Sequence, residues 1–238
     1  MITQTCCPVV ELRQYTLVPD GREVLISLFE EQFIETQEAT GMIVIGQFRD
    51  LNNPDRFVWL RGFSDMASRA RQLEQFYGGP VWKKHREAAN ATMIDSDNVL
   101  LLRPARSDSG VRLENLKRPP VGARENANRL IVATIFHLAG SRDSFIRFHE
   151  TEITPVLMKL GASILAMFVT ENHPNTFPAL PVREGVNVFV SFSLFADRGT
   201  YEQFVNSRDE EAAEKLLVLT KGASEVLLLA PTARSLVR

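Results

Sequence analysis

Glu11, Arg13 and Tyr15 stand two residues apart in the run Val9 to Leu17. Alternate residues of an extended strand point to one face, so this spacing sets a carboxylate, a guanidinium and a phenol side by side. If that face lines a partly desolvated cavity, the three could hold an anionic or phenolic ligand. Arg13 would then be the charge partner and Tyr15 a donor or proton relay. The competing assignment is a Glu11–Arg13 ion pair near a strand end with Tyr15 in the core, since ion pairs also form where there is no function. Trp59 shares a strand face with Phe57 and Arg61, and is either core packing or an aromatic wall for a flat ligand. His85 lies on the approximate apolar stripe Val81, Trp82, His85, Ala88, Ala89 and Met93, which turns its ring inward as an acid–base group or a core histidine. Glu11, Arg13, Tyr15, Trp59 and His85 are therefore the candidate ligand-binding residues. His85, Tyr15 and Arg13 are the candidates for chemistry.

Three other histidines lie in the C-terminal half. His149 takes the place that Phe29 holds in the first half, a polar ring on a stripe with Phe145 and Ile153. His137 ends a strand, and His173 sits in a Pro-rich loop that either lids a cavity mouth or is plain surface.

Composition narrows the classes. A formal net charge of −2 supplies no basic field for nucleic acid or acidic membranes. No basic–aromatic interleaving suggests RNA or single-stranded DNA binding. No run reaches the roughly 18–20 apolar residues that cross a bilayer, and Met1 to Pro8 lacks the pattern of a signal or transit peptide. Zinc-binding, P-loop, dinucleotide-binding and nucleophile-elbow motifs are absent from the sequence, so no metal and no cofactor are expected. Cys6 and Cys7 are the two cysteines. Neighbouring cysteines rarely meet disulfide geometry, so an inert pair at a frayed end in a reducing cytoplasm is expected. The open partner classes are a small-molecule ligand and further copies of the chain.

The elements that must carry these residues repeat. Leu25, Phe29 and Phe33 match Phe145, His149 and Ile153 at a constant offset, which also pairs Gly41 with Gly161 and Phe48 with Phe168. Val99 to Pro104 is echoed by Val226 to Pro231. Residues 106–127, with Ser107-Asp108-Ser109-Gly110 and Pro119-Pro120, have linker composition between halves at 8–105 and 128–238.

Each half reads strand, helix, strand, strand, helix, strand, the ferredoxin-like order. The first half has strands at 9–17, 42–48, 56–62 and 98–103, with helices from Arg22 to Ala39, from the Ser64-Asp65 cap to Tyr77, and from Pro80 to Met93. The second has strands at 130–138, 163–170, 186–195 and 225–229. Its helices are expected from Ser141 to Leu160, from Asp197, and from Asp209 to Thr220, and a longer loop runs from Glu171 to Gly185. The strands are apolar on both faces: Ile131, Ala133 and Ile135 point one way, and Leu130, Val132 and Phe136 the other. A sheet with water on one side would alternate. Two sheets that face each other, with helices outside, satisfy the pattern. The expected fold is α+β, two βαββαβ halves closing a dimeric-type α/β barrel within one chain.

Glu11-Leu12-Arg13-Gln14-Tyr15, Phe57-Val58-Trp59-Leu60-Arg61-Gly62-Phe63 and Phe76-Tyr77-Gly78-Gly79-Pro80-Val81-Trp82 resemble, in order and spacing, the signature of NIPSNAP domains. The resemblance covers most of residues 8–104, and the second half is a divergent copy without these strings. It implies the dimeric α/β-barrel fold, whose wider superfamily includes cofactor-free monooxygenases, lactone isomerases and haem enzymes. Fold alone does not choose among them. Haem-degrading members pair a strand Trp with a helix His, loosely as Trp59 with His85, but also use a strand-one Asn that this chain lacks. The expected function is binding of a small hydrophobic or aromatic metabolite in the barrel, as a cofactor-independent monooxygenase or isomerase. The alternative is a non-catalytic scaffold with its lumen packed shut.

Overall fold

Eight strands, most of them buried on both faces, need two layers of cover. In the computed structural model, which describes residues 6–114, 116–125, 127–207 and 210–238, they obtain both by closing on themselves. The first half contributes β1 (Val9–Leu17), β2 (Ile43–Asp50), β3 (Arg56–Phe63) and β4 (Met93–Pro104). The second contributes β5 (Leu130–His137), β6 (Ser163–Thr170), β7 (Val188–Phe195) and β8 (Glu225–Pro231). The strand order around the closed barrel is β1-β3-β2-β8-β5-β7-β6-β4. All pairings are antiparallel, and two short seams join the halves: Phe48, Arg49 and Asp50 with β8, and Leu102, Arg103 and Pro104 with β6.

The barrel interior is solid. Val10, Leu12, Val58 and Leu60 meet Ile131, Ala133, Val190 and Leu229 in one buried apolar cluster drawn from both halves. An eight-stranded barrel is just wide enough for side chains to fill. The opposite strand faces are roofed by helices, and each half has its own apolar layer there.

The roof of the first half is α1 (Gly21–Leu28), a π-helical segment Phe29–Phe33, α2 (Ile34–Glu38), α3 (Met66–Gly78) and α4 (Pro80–Asn90). That of the second is α5 (Arg142–Phe148), a π-helical segment His149–Ile153, α6 (Thr154–Lys159), α7 (Arg198–Asn206) and α8 (Glu210–Leu219). The expected start of α8 at Asp209 lies outside the described residues. β4 begins at Met93, earlier than the expected Asn98, because Asp95 and Asn98 continue the pairing with β1 through a bulge.

The duplication extends to local chemistry. Asp65 and Asp197, both extended, cap α3 and α7 by accepting the amides of Ser68 and Thr200 at 2.6 and 2.8 Å. Gly41 and Gly161 end the first helical stretch of each half at φ of 97° and 79°, a conformation that favours glycine. The five-residue π segments also fall at matching positions, and Pro155, which lacks an amide hydrogen, follows the second.

Cys6 and Cys7 differ from expectation, since the two form a disulfide. Nor is the pair itself loose. The Cys6 amide donates to the Val111 carbonyl at 3.1 Å, and Cys7 is buried over Gly62, where a Cβ would collide with its sulfur. Among the described residues, no helix is long and apolar enough to cross a membrane.

Candidate functional site

Register decides where the chemistry lies. Leu12 and Leu60 point into the barrel, so Glu11, Arg13 and Tyr15 on β1, with Trp59 and Arg61 on β3, point outward beneath the helices. The expectation of a site in the barrel lumen is thereby corrected. Strand alternation separates the two faces, and the one that is apolar but for the buried Gln14 fills the interior.

Glu11 is the centre of this outer layer. Its Oε2 accepts from Arg13 Nη1 and Arg61 Nε, each at 2.8 Å, and its Oε1 accepts from Arg69 Nε of α3 at 2.6 Å. None of the four side chains is exposed. Burial by itself would raise the Glu11 pKa, but Arg61, Arg13 and Arg69 together hold it far below the usual carboxylate range. Arg13 is held more firmly protonated by Tyr15 and Glu11 despite its burial, whereas burial lowers Arg69. Glu11 is thus a fixed counter-ion and no general base.

One carboxylate does not balance three guanidiniums. The remaining donors reach neutral oxygens: Arg13 Nε to Tyr15 Oη at 3.0 Å, Arg61 Nη1 to Gln37 Oε1 at 3.1 Å, and Arg69 Nη1 to Asn175 Oδ1 and Thr176 Oγ1 at 2.9 and 3.2 Å. Arg61 Nη2, Arg69 Nη2 and Trp59 Nε1 are buried with no partner. Such unmade bonds cost about 1–3 kcal/mol each, more for charged groups. The Trp59 ring offsets part of the charge, with the Arg61 and Arg13 guanidinium carbons 5.0 and 5.7 Å from its centre.

Beside the cluster lies an aromatic cavity of about 30 Å³, room for roughly one water. Tyr15 and Trp59 form its floor, Phe29, Phe33, Phe76 and Trp82 its sides, and Gln37 and Tyr77 its polar edge. Burial raises the Tyr15 pKa, and with its oxygen accepting from Arg13 the phenol keeps a proton to donate. His85 does not join the cavity. It is half-buried with its ring 6.4 Å from that of Phe33, so the structure does not bring Trp59 and His85 together. The stripe that led to it is only partly inward, with Ala89 buried but Ala88 exposed.

The second half supplies the cover. Its loop 171–185 crosses to the first half, where Asn175 and Thr176 accept from Arg69, Thr176 Oγ1 donates to the Met66 carbonyl at 3.1 Å, and Phe177 stacks on Tyr77 at 6.0 Å. A surface groove of about 780 Å³ runs beside the root of this loop, with Glu171 and His173 on its wall. His173 itself is exposed and pairs with Glu171. Among the described residues, no group of three or more His, Cys, Asp or Glu could hold a metal ion.

Arg69, Gln37, Tyr77, Asn175 and Thr176 were not evident as site residues from sequence. Arg69 did leave a trace, since it precedes the buried Leu73 and Phe76 by four and seven residues and so falls on the apolar stripe of α3.

A closed barrel of two βαββαβ halves, with its polar cluster between sheet and helices, defines the class as the dimeric α/β barrel. Residues 10–108, most of the first half, match the NIPSNAP family model. No curated protein sequence matches the chain. Among solved structures, a candidate monooxygenase from Lactobacillus acidophilus superposes with a TM-score of 0.57 at 14% identity, covering 97% of each chain. An anthrone oxidase-like protein gives 0.52 at 13% identity over 94% of this chain and 91% of its own. A dye-decolorizing peroxidase from Bacteroides thetaiotaomicron gives 0.54 at 9% identity over 98% and 95%. At such identities the likeness is one of fold.

Proposed function

We propose that the NIPSNAP half binds a small aromatic metabolite carrying an anionic oxygen, a carboxylate or phenolate, between β1, β3 and the helices, with the 171–185 loop as lid. The observation that carries this is the buried excess of positive charge: three guanidiniums on one carboxylate, with two guanidinium nitrogens and one indole N–H unpartnered. A ligand oxyanion is the group that such donors stabilise best. The aromatic cavity supplies the walls for a ring, and the loop, held by hydrogen bonds, the Phe177–Tyr77 stack and the packing of Phe177 and Leu180 on the aromatic layer, is the part that must move for the ring to enter.

Tyr15 and Trp59 both line the cavity and each carries a donor group, an arrangement that favours charge on a ligand oxygen and suits a cofactor-independent oxygenase or isomerase working through an enolate. The cavity wall holds no carboxylate or imidazole, so a ligand that arrives already ionised fits better than one awaiting deprotonation. The packed lumen favours the other reading, a non-catalytic scaffold.

Titration with salicylate, monitored by tryptophan fluorescence, separates the two, with benzamide as the neutral control. Saturable quenching by salicylate alone, weakened at least tenfold in Arg61→Met, is expected. Equal responses to both compounds, or none, would leave the scaffold reading.

A further inference from the structure

The second half has its own enclosed space between sheet and helices, and nothing in the charged cluster reaches it. Thr134, Ser191 and Ser193 line it from the sheet, Tyr201 from α7, and His149 from the π segment. The His149 ring is buried against Phe189 at 4.8 Å and Phe136 at 6.4 Å. Its Nδ1 lies 3.2 Å from Thr154 Oγ1, whereas Nε2 is buried with no hydrogen-bond partner. Burial pushes the ring's pKa down to about 4, so it is neutral at pH 7. Buried polar groups in folded proteins are almost always paired, and one that is not calls for an explanation.

Space and cover bear on what the partner is. The volume is about 10 Å³, enough for one water at most. The roof above it is lightly attached, however. α7, the roof helix that supplies Tyr201 and Phe204 to the lining, buries only Phe204. In the first half, by contrast, Leu73, Phe76 and Ala89 anchor α3 and α4. A roof with few buried contacts opens at low free-energy cost.

We propose that this space is a second binding site, for a small uncharged ring-shaped molecule bearing a hydroxyl group that pairs with His149 Nε2. Three features select that chemistry. The lining has no charged side chain, so an ion would be stranded. Phe136, Phe195 and Phe204 offer ring faces. A hydroxyl also serves either tautomer of His149, donating to a bare Nε2 or accepting from Nε2–H. The site is independent of the one proposed for the NIPSNAP half and stands if that one fails.

The test follows the His149 ring signals by NMR in the full chain during titration with phenol, with benzoate as the charged control. Phenol is expected to shift them saturably and benzoate to leave them unmoved. In His149→Phe, which carries the first half's residue type, phenol-induced shifts of the Ser191 and Ser193 amides should weaken at least tenfold. His149→Gln, which keeps a polar group in place, should retain part of the response. Absence of a saturable shift, undiminished binding in His149→Phe, or a water on Nε2 that phenol does not displace would overturn the proposal.

Discussion

Aligned by register, the two sheets carry opposite chemistry at the same addresses. Glu11 faces Arg61 across β1 and β3 where Val132 faces Ser193 across β5 and β7. Arg13 and Trp59 correspond to Thr134 and Ser191, and Tyr15 and Phe57 to Phe136 and Phe189. Arg69, four residues after the cap Asp65, corresponds to Tyr201, four after Asp197. On the helix the exchange runs the other way, with Phe29 against His149. The backbone holds its shape under either set, so charge content is a property of the graft and not of the fold. The first half has concentrated cations beneath a long loop of the second. The second has none of them there and carries one neutral, half-paired imidazole.

The largest effect expected from breaking this contrast is at Glu11. Glu11→Gln leaves three buried guanidiniums without their counter-ion and should cost about 3–5 kcal/mol by urea unfolding. Val132→Ala at the matching position removes two methyl groups and should cost about 2 kcal/mol. Equal losses would mean that the cluster carries no special weight.

Next in size is pH. His149 is depressed to about 4 in the folded chain against about 6.5 unfolded. Between those values the unfolded state binds the extra proton, so stability falls as pH drops from 6.5 to 4, by on the order of 3 kcal/mol. His149→Phe should abolish that slope. The Glu11 contribution behaves differently, being lost only as pH falls below the unfolded carboxylate value of about 4.3 and continuing into strong acid.

A third contrast lies in the ties between halves. Arg234, following β8, reaches back to the first π segment and α2, where its amide donates to Glu30 Oε1 at 2.8 Å and its guanidinium to the Glu30 carbonyl and to Glu35 of α2. Arg106, following β4, does the same more loosely for the second, donating to Glu150 at 3.1 and 3.3 Å. The Arg234 side chain is 3% exposed and that of Arg106 39%. Arg234→Ala should cost about 2–3 kcal/mol and Arg106→Ala less than about 1. Smallest of all, Thr176→Ala should leave unfolding within about 1 kcal/mol of the parent while quickening proteolysis within 171–185. An unchanged cleavage rate would deny the loop its role as lid.

Much of this architecture can be read along the chain. The repeated helix stripe, the paired Gly41 and Gly161 stops and the two-sided apolar strands define the duplicated barrel, because periodicity and capping are local. The grouping of Glu11, Arg13 and Tyr15 is equally local, since alternation puts them on one face of one strand. Alternation does not say whether that face looks into the barrel or up at the helices when both faces are dry. His85 shows the same limit, as a near-apolar stripe did not establish how deeply its ring would sit. Arg69, the 171–185 loop contacts and the Arg234 tie come from residues far apart in sequence, and no local pattern encodes them. What the sequence by itself determined is the fold and the membership of its polar trio. Only the tertiary structure decided that the trio lies outside the barrel with two further arginines over it, because partner choice across a closed sheet is set by which apolar faces can fill an eight-stranded interior.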